Sequence, residues 1–204
     1  MSISSLRRLR LVLRIAVILA ALGAAALIVL RPEPPASKAA TNWQAKLGGP
    51  FTLTGSDGKP FQSSRLNGQP YAIFFGFTHC PDVCPTTLAR LVRLRQQIGS
   101  ADAFSILFVT VDPERDGPAE MGRYSELFGS PVIGLTGSQA QITQVKKQFG
   151  VFSEKQPGKS GTYTVDHTAT ALLFDKQGAF QSTISPEEPD SAALEKLKRL
   201  TSNS

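Results

Sequence analysis

The sequence predicts an α/β protein, and three observations carry that prediction. Two largely apolar runs rich in aromatic and β-branched residues, Tyr71–Phe77 and Phe104–Val111, read as buried strands. Between them lies a stretch of helical periodicity, in which Leu88, Leu91, Val92, Arg95 and Ile98 fall on one face and Gly99 sits where a helix stops. Further on, the turn Asp175-Lys176-Gln177-Gly178 separates two short apolar runs, and an amphipathic helix, Pro189–Leu200, follows. A chain of 204 residues suits one domain plus appendages.

The charge sits mainly at the N-terminus. Residues 1–40 carry Arg7, Arg8, Arg10, Arg14, Arg31 and Lys38 against Glu33 alone, a net +5 of the chain's +6. The body is left with about +1 and shows no basic stripe interleaved with aromatics, so nucleic acid is not an expected partner. Ile15–Leu30 is an uninterrupted apolar run of 16 residues between Arg14 and Arg31. With Leu11-Val12-Leu13 added and Arg14 snorkelling, it reaches the roughly 17–25 residues that span a bilayer. Residues 1–31 therefore read as a basic segment and single transmembrane anchor. The arginine excess before the run predicts a cytoplasmic N-terminus with the domain on the far side. A cleavable signal peptide is the alternative, although Leu27-Ile28-Val29-Leu30-Arg31 offers no small-x-small cleavage site. Residues 32–47, rich in proline and small residues, read as a flexible tether, and 48–204 as the domain.

Within the domain, Phe51-Thr52-Leu53-Thr54 alternates as a strand, Asp57-Gly58-Lys59 turns the chain, and Pro60–Ser63 returns as a short edge strand. Leu66–Pro70 is a turn leading into the Tyr71–Phe77 strand. After the Phe104–Val111 strand comes a polar cluster, Asp112-Pro113-Glu114-Arg115-Asp116, which reads as a satisfied structural loop in which Asp112 caps and Arg115 pairs internally. Glu120–Phe128 is a helix, Pro131–Leu135 a short strand, and Ser138–Phe149 a helix with Ser138 as N-cap and Gly150 as stop. Residues 153–161 read as a loop. Tyr163–Thr168 then leads into the strand Ala169–Phe174, the turn at Asp175, and the strand Ala179–Ile184. Strands alternating with helices, then a hairpin and a closing helix, is the order of a thioredoxin-like domain.

The chemistry concentrates at Phe74-Phe75-Gly76-Phe77-Thr78-His79-Cys80-Pro81-Asp82-Val83-Cys84-Pro85, which holds the two cysteines of the chain. Pro85 is tolerated only in the first turn of the following helix, so Cys84 lies at or near its start. The helix dipole and free N–H groups there favour an anion, so either thiol is expected to ionise more readily than a free one. Thiolates at i and i+4 around a helix start can converge on one soft ion or exchange disulfides. His79, next to Cys80, points away from it in an extended turn and reads as structural. His167, beside Asp166, reads from its neighbours alone as an ordinary histidine.

The stretch FGFTHCPDVCP resembles the signature of the Sco/SenC family, thioredoxin-like copper-binding assembly factors of cytochrome c oxidase. GPFTL, TVDPERD, IGLTG and YTVDHT follow in family order, and the resemblance runs from about Gly48 to Gly178. It implies a copper metallochaperone that holds one Cu(I) or Cu(II) through Cys80, Cys84 and His167. The implied recipient is the oxidase subunit with the dinuclear copper centre, with other copper chaperones or thiol reductants as further partners. Asp166 is a candidate to orient the imidazole. The implied location is a bacterial inner membrane with the domain in the periplasm, the mitochondrial inner membrane being the alternative. Zinc suits the same ligand set. A second function stays open: a thiol-disulfide oxidoreductase that keeps the oxidase cysteines reduced, with Cys80 and Cys84 as redox pair. Its C-x-x-x-C spacing departs from the C-x-x-C of thioredoxins.

Overall fold

The structure is a computed structural model that describes residues 47–100, 102–158 and 161–202. The expected anchor in residues 1–31 lies outside these, as does the expected tether apart from Leu47. Among the described residues, no helix is long and apolar enough to cross a membrane.

The elements run β1 (Thr52–Gly55), β2 (Pro60–Gln62), a 3-10 turn (Ser63–Leu66), β3 (Tyr71–Gly76), α1 (Val83–Ile98), β4 (Ser105–Thr110), α2 (Pro118–Glu126) and β5 (Ile133–Thr136). Then follow α3 (Gln139–Gln148), β6 (Ser153–Pro157), β7 (Tyr163–His167), β8 (Ala171–Phe174), β9 (Phe180–Ile184) and α4 (Asp190–Ser202). Seven strands form one sheet in the order β2-β1-β5-β4-β3-β8-β9, and β6 and β7 form a separate two-stranded sheet. β3, β4 and β5 are parallel, and β8 runs antiparallel to β3. This is the thioredoxin-like α/β arrangement.

Every residue of β3 is buried because the strand is covered on both faces, as central parallel strands are. Alternation decides which side chain goes where. Phe75 points to one face, where it meets the Phe149 ring at a tilt, and Phe51 and Phe174 pack edge-on against Phe149. Phe74 and Gly76 point to the other, where Phe108 and Cys84 meet them. α1 stops at Gly99, which adopts the left-handed conformation with φ 98°. Ser138 caps α3 by a reciprocal pair of bonds with Gln141, at 3.3 and 2.9 Å.

Two local expectations are corrected, and a third is explained. Residues 153–157 are a strand rather than part of a loop; Ser153-Glu154-Lys155-Gln156-Pro157 buries no residue, so it carries no alternation, and backbone pairing with β7 defines it. His167 ends β7 instead of merely preceding β8, which starts at Ala171. Arg95 lies on the apolar face of α1 because it is itself buried, 2% exposed. Its guanidinium donates to the carbonyls of Phe104 and Pro131 and to Ser130 Oγ, tying the approaches to β4 and β5 to the helix.

Candidate metal centre

β3 ends at Gly76, and the chain turns through Thr78-His79-Cys80-Pro81-Asp82 into α1. Val83, Cys84 and Pro85 are the first three residues of that helix, so the proline's missing N–H costs no helical bond. Cys84 is fully buried against the end of β3. Gly76 makes this approach sterically accessible: a Cβ there would meet Cys84 Sγ at 2.7 Å and the rings of Phe108 and Phe74 at 3.0 and 3.1 Å. Glycine inside a strand is the sequence signal of such an approach.

β7 brings the third member. His167 Nε2 lies 3.4 Å from Cys84 Sγ across 83 residues of sequence. The ligand atoms of Cys80, Cys84 and His167 all lie within 4.8 Å of one another. The imidazole is wedged edge-on between Phe74 and Phe77, at 6.0 and 5.8 Å between ring centres. Its Nδ1 is 3.1 Å from the carbonyl of Thr168, which can only accept, so Nδ1 donates to it and Nε2 is the ring atom turned toward the sulfurs, a donor to a thiolate when it carries a proton and a lone-pair ligand when it does not. That carbonyl orients the ring, a role Asp166 does not take: Asp166 is exposed and opposes Glu154 in the hairpin.

The two thiols are both free and unequal. Cys80 is pulled down to about 4, chiefly by the Cys84 thiol facing it, against the cost of its own burial, and further by His167 and the backbone N–H groups of Cys84 and Asp82 at the helix start. Cys84 is pushed up, by holding the proton it shares with Cys80 and by burial. The expectation that either thiol ionises readily is therefore corrected. Only the outer one does, because a second thiolate in so tight a buried pair would meet the first.

Asp116, which the sequence reading did not single out, secures the turn. Fully buried, it accepts from the Thr78 N–H at 2.9 Å, the Thr78 hydroxyl at 2.6 Å and the Thr110 hydroxyl at 2.7 Å. Its place at the end of the polar run after β4 was the available signal. His79 stays outside the group of three: its side chain is 53% exposed, with Nδ1 3.1 Å from Thr78 Oγ1 and 3.6 Å from Asp116. Arg115 pairs internally as expected, with Asp112, whose carboxylate takes side-chain donors instead of capping a backbone N–H, and both also reach β7. Tyr163 donates its hydroxyl to Asp112 at 2.9 Å, and Arg115 donates to the Tyr163 carbonyl at 3.1 Å while lying 3.8 Å above its ring.

Two sulfurs and one lone-pair nitrogen around a common point can hold a single soft ion. Residues 39–202 match the family model described as SCO1/SenC. The mitochondrial protein SCO2 of Saccharomyces cerevisiae is 36% identical over 156 residues, 74% of this chain and 52% of the yeast protein, so the match spans about half of that relative. A SCO2-like protein of Rickettsia prowazekii is 37% identical over 138 residues, 66% of this chain and 67% of its own length. Among solved structures, Bradyrhizobium japonicum ScoI with copper bound is similar at a TM-score of 0.69 and 41% identity, covering 76% of this chain and 99% of that one. The chain belongs to the SCO1/SenC family.

Proposed function

We propose that this protein is a membrane-tethered copper carrier that holds one ion through Cys80, Cys84 and His167 and delivers it to the copper-bearing subunit of cytochrome c oxidase. The convergence of the three donor atoms within 4.8 Å carries the reading. Metal–sulfur bonds of about 2.3 Å at trigonal angles put donors about 4 Å apart, so the set needs to close only slightly around an ion. Two thiolates favour the soft Cu(I), and the imidazole extends the set to Cu(II). Copper bound to ScoI of Bradyrhizobium japonicum supports this metal over zinc. In the bilayer, residues 1–31 would be the anchor and 32–47 the tether, with 48–204 on the periplasmic side.

Copper titration of the full-length chain tests the ligand set. His167→Ala should retain only some Cu(I) on the two thiolates and lose most Cu(II), whereas His79→Ala should hold both nearly as well as the parent. Because Cys84 holds a proton that Cys80 has lost, each ion bound near pH 7 should release about one proton to buffer. Reversed behaviour of the two histidine variants would refute the assignment.

The unequal thiols favour a second reading, a thiol-disulfide reductase acting on the oxidase cysteines: a low-pKa outer sulfur beside a buried partner suits disulfide exchange. His167→Ala separates the two. Under the carrier reading it abolishes oxidase assembly in cells while the reduction potential of the pair moves little. Normal assembly by a His167→Ala protein that no longer holds copper would select the reductase.

A further inference from the structure

A groove of about 300 Å³ opens beside the three donor atoms. One wall is Phe77 and the Cys80–Val83 turn, and the other is the stretch Thr164–His167 of β7. The second wall is a strand edge, and its hydrogen bonds can be accounted for. Thr168 donates to the Phe152 carbonyl at one end of the hairpin, and Gly158 to the Thr162 carbonyl at the other. In an antiparallel ladder bonded and non-bonded pairs alternate, so Asp166–Glu154 and Thr164–Gln156 are the bonded pairs between them. Tyr163, Val165 and His167 therefore turn their N–H and C=O groups outward, away from β6. Arg115 takes the carbonyl of Tyr163. Among the described residues nothing bonds the outward backbone groups of Val165 and His167. Val165 is 5% exposed, so its outward groups, unbonded among the described residues, lie in a largely desolvated place, where a guest that pairs with them gains free energy.

We propose that this edge of β7 receives an extended, thiol-bearing segment of the protein that exchanges copper with this site, pairing its backbone with Val165 and His167. The proposal rests on the carrier reading above. An unpaired strand edge selects a guest in β conformation, with main-chain bonds providing affinity. The thiol follows from the site's exposure: Cys84 is sealed, while Cys80 and His167 border the groove, so an ion there meets incoming ligands from the groove side. Soft sulfur is the ligand able to compete with the resident thiolates. No electron moves in such an exchange. A bond from the guest sulfur to copper forms as the bond from Cys80 breaks, and the proton of the guest thiol passes to solvent. The charged residues lining the groove are Asp82 and Asp166, both exposed, so the guest should carry a basic residue beside its cysteine.

The test uses the full-length chain, with and without copper, and a seven-residue peptide of alternating valine and threonine with a central cysteine and flanking lysines. Hydrogen exchange of the Val165 and His167 amides should slow about tenfold with the peptide, while Thr164 and Asp166, already bonded to β6, stay unchanged. N-methylating the two peptide amides that face β7 should weaken binding about tenfold, and methylating the alternate ones should not. Replacing the lysines by glutamates should weaken it at low salt. Equal binding of both methylated peptides, absence of binding, or no protection at Val165 and His167 would overturn the proposal. Protection that needs no peptide and grows with protein concentration would also overturn it, by assigning the edge to a second copy. A protein that takes no copper but still protects these amides leaves the edge proposal standing and removes the carrier reading instead.

Discussion

Cys84 is fully buried at the junction of β3 and α1, against Gly76, whereas His167 arrives on a two-stranded sheet whose Glu154, Lys155, Thr164 and Asp166 face solvent. The cysteine turn is held by the domain core and by the Asp116 carboxylate. The hairpin is held by a buried Val165 and a few polar ties: Lys146 to Ser153 at 2.6 Å, Lys155 to Glu114 at 2.6 Å, and Tyr163 with Arg115 to the loop after β4. The difference suggests a division of labour. The sulfurs sit in a preformed cradle that resists change, and the imidazole is supplied by an element that can loosen without unfolding the core.

The largest effect that sharpens this comparison concerns Cys80. With its thiol lowered to about 4, it is protonated below that pH and anionic above it, whereas a free thiol ionises near 9. Alkylation of the reduced, metal-free protein should therefore rise with pH through about 4 and stay flat to neutrality. At pH 6 it should exceed alkylation of the unfolded chain about three- to tenfold, because the lower nucleophilicity of a low-pKa thiolate offsets most of the gain in thiolate fraction. The Cys84 thiol lowers Cys80 more than His167 does, so His167→Ala should keep the midpoint below the free-thiol range. A midpoint near 9 in that variant would mean that the hairpin, rather than the turn, holds the thiolate.

A smaller effect separates the two regions by packing. Gly76→Ala forces a methyl against Cys84 Sγ at 2.7 Å, and it should cost about 2 kcal/mol in denaturant unfolding and weaken copper binding. Thr164→Ala, exposed on the hairpin, should change stability by less than about 0.5 kcal/mol. Equal stability of the two variants would show that the cradle yields, and the contrast would fail.

The smallest effect is local. Tyr163→Phe removes the hydroxyl bond to Asp112, worth about 1 kcal/mol. Hydrogen exchange should quicken across β6 and β7 and stay unchanged in β3 and β4. Uniform acceleration in all four strands would place the hairpin within the cooperative core.

Much of this was legible in the sequence because its causes are local. The Tyr71–Phe77 and Phe104–Val111 runs declare buried strands by composition, Ser138 and Gly150 declare the two ends of a helix, and Pro85 places Cys84 at a helix start whatever surrounds it. The nearness of Cys80 and Cys84 follows from that turn alone. Tertiary structure decided the rest. Ser153–Pro157 becomes a strand because β7 lies beside it, and Arg95 is buried because three oxygen atoms from two distant loops surround its guanidinium. Cys84 keeps its proton because the core desolvates it next to a thiolate. His167 resembles any histidine among its neighbours in sequence and came into view through family resemblance. Its Nε2 stands 3.4 Å from a sulfur because the fold closes a loop of 83 residues, a contact between side chains too far apart for periodicity, capping or spacing to encode.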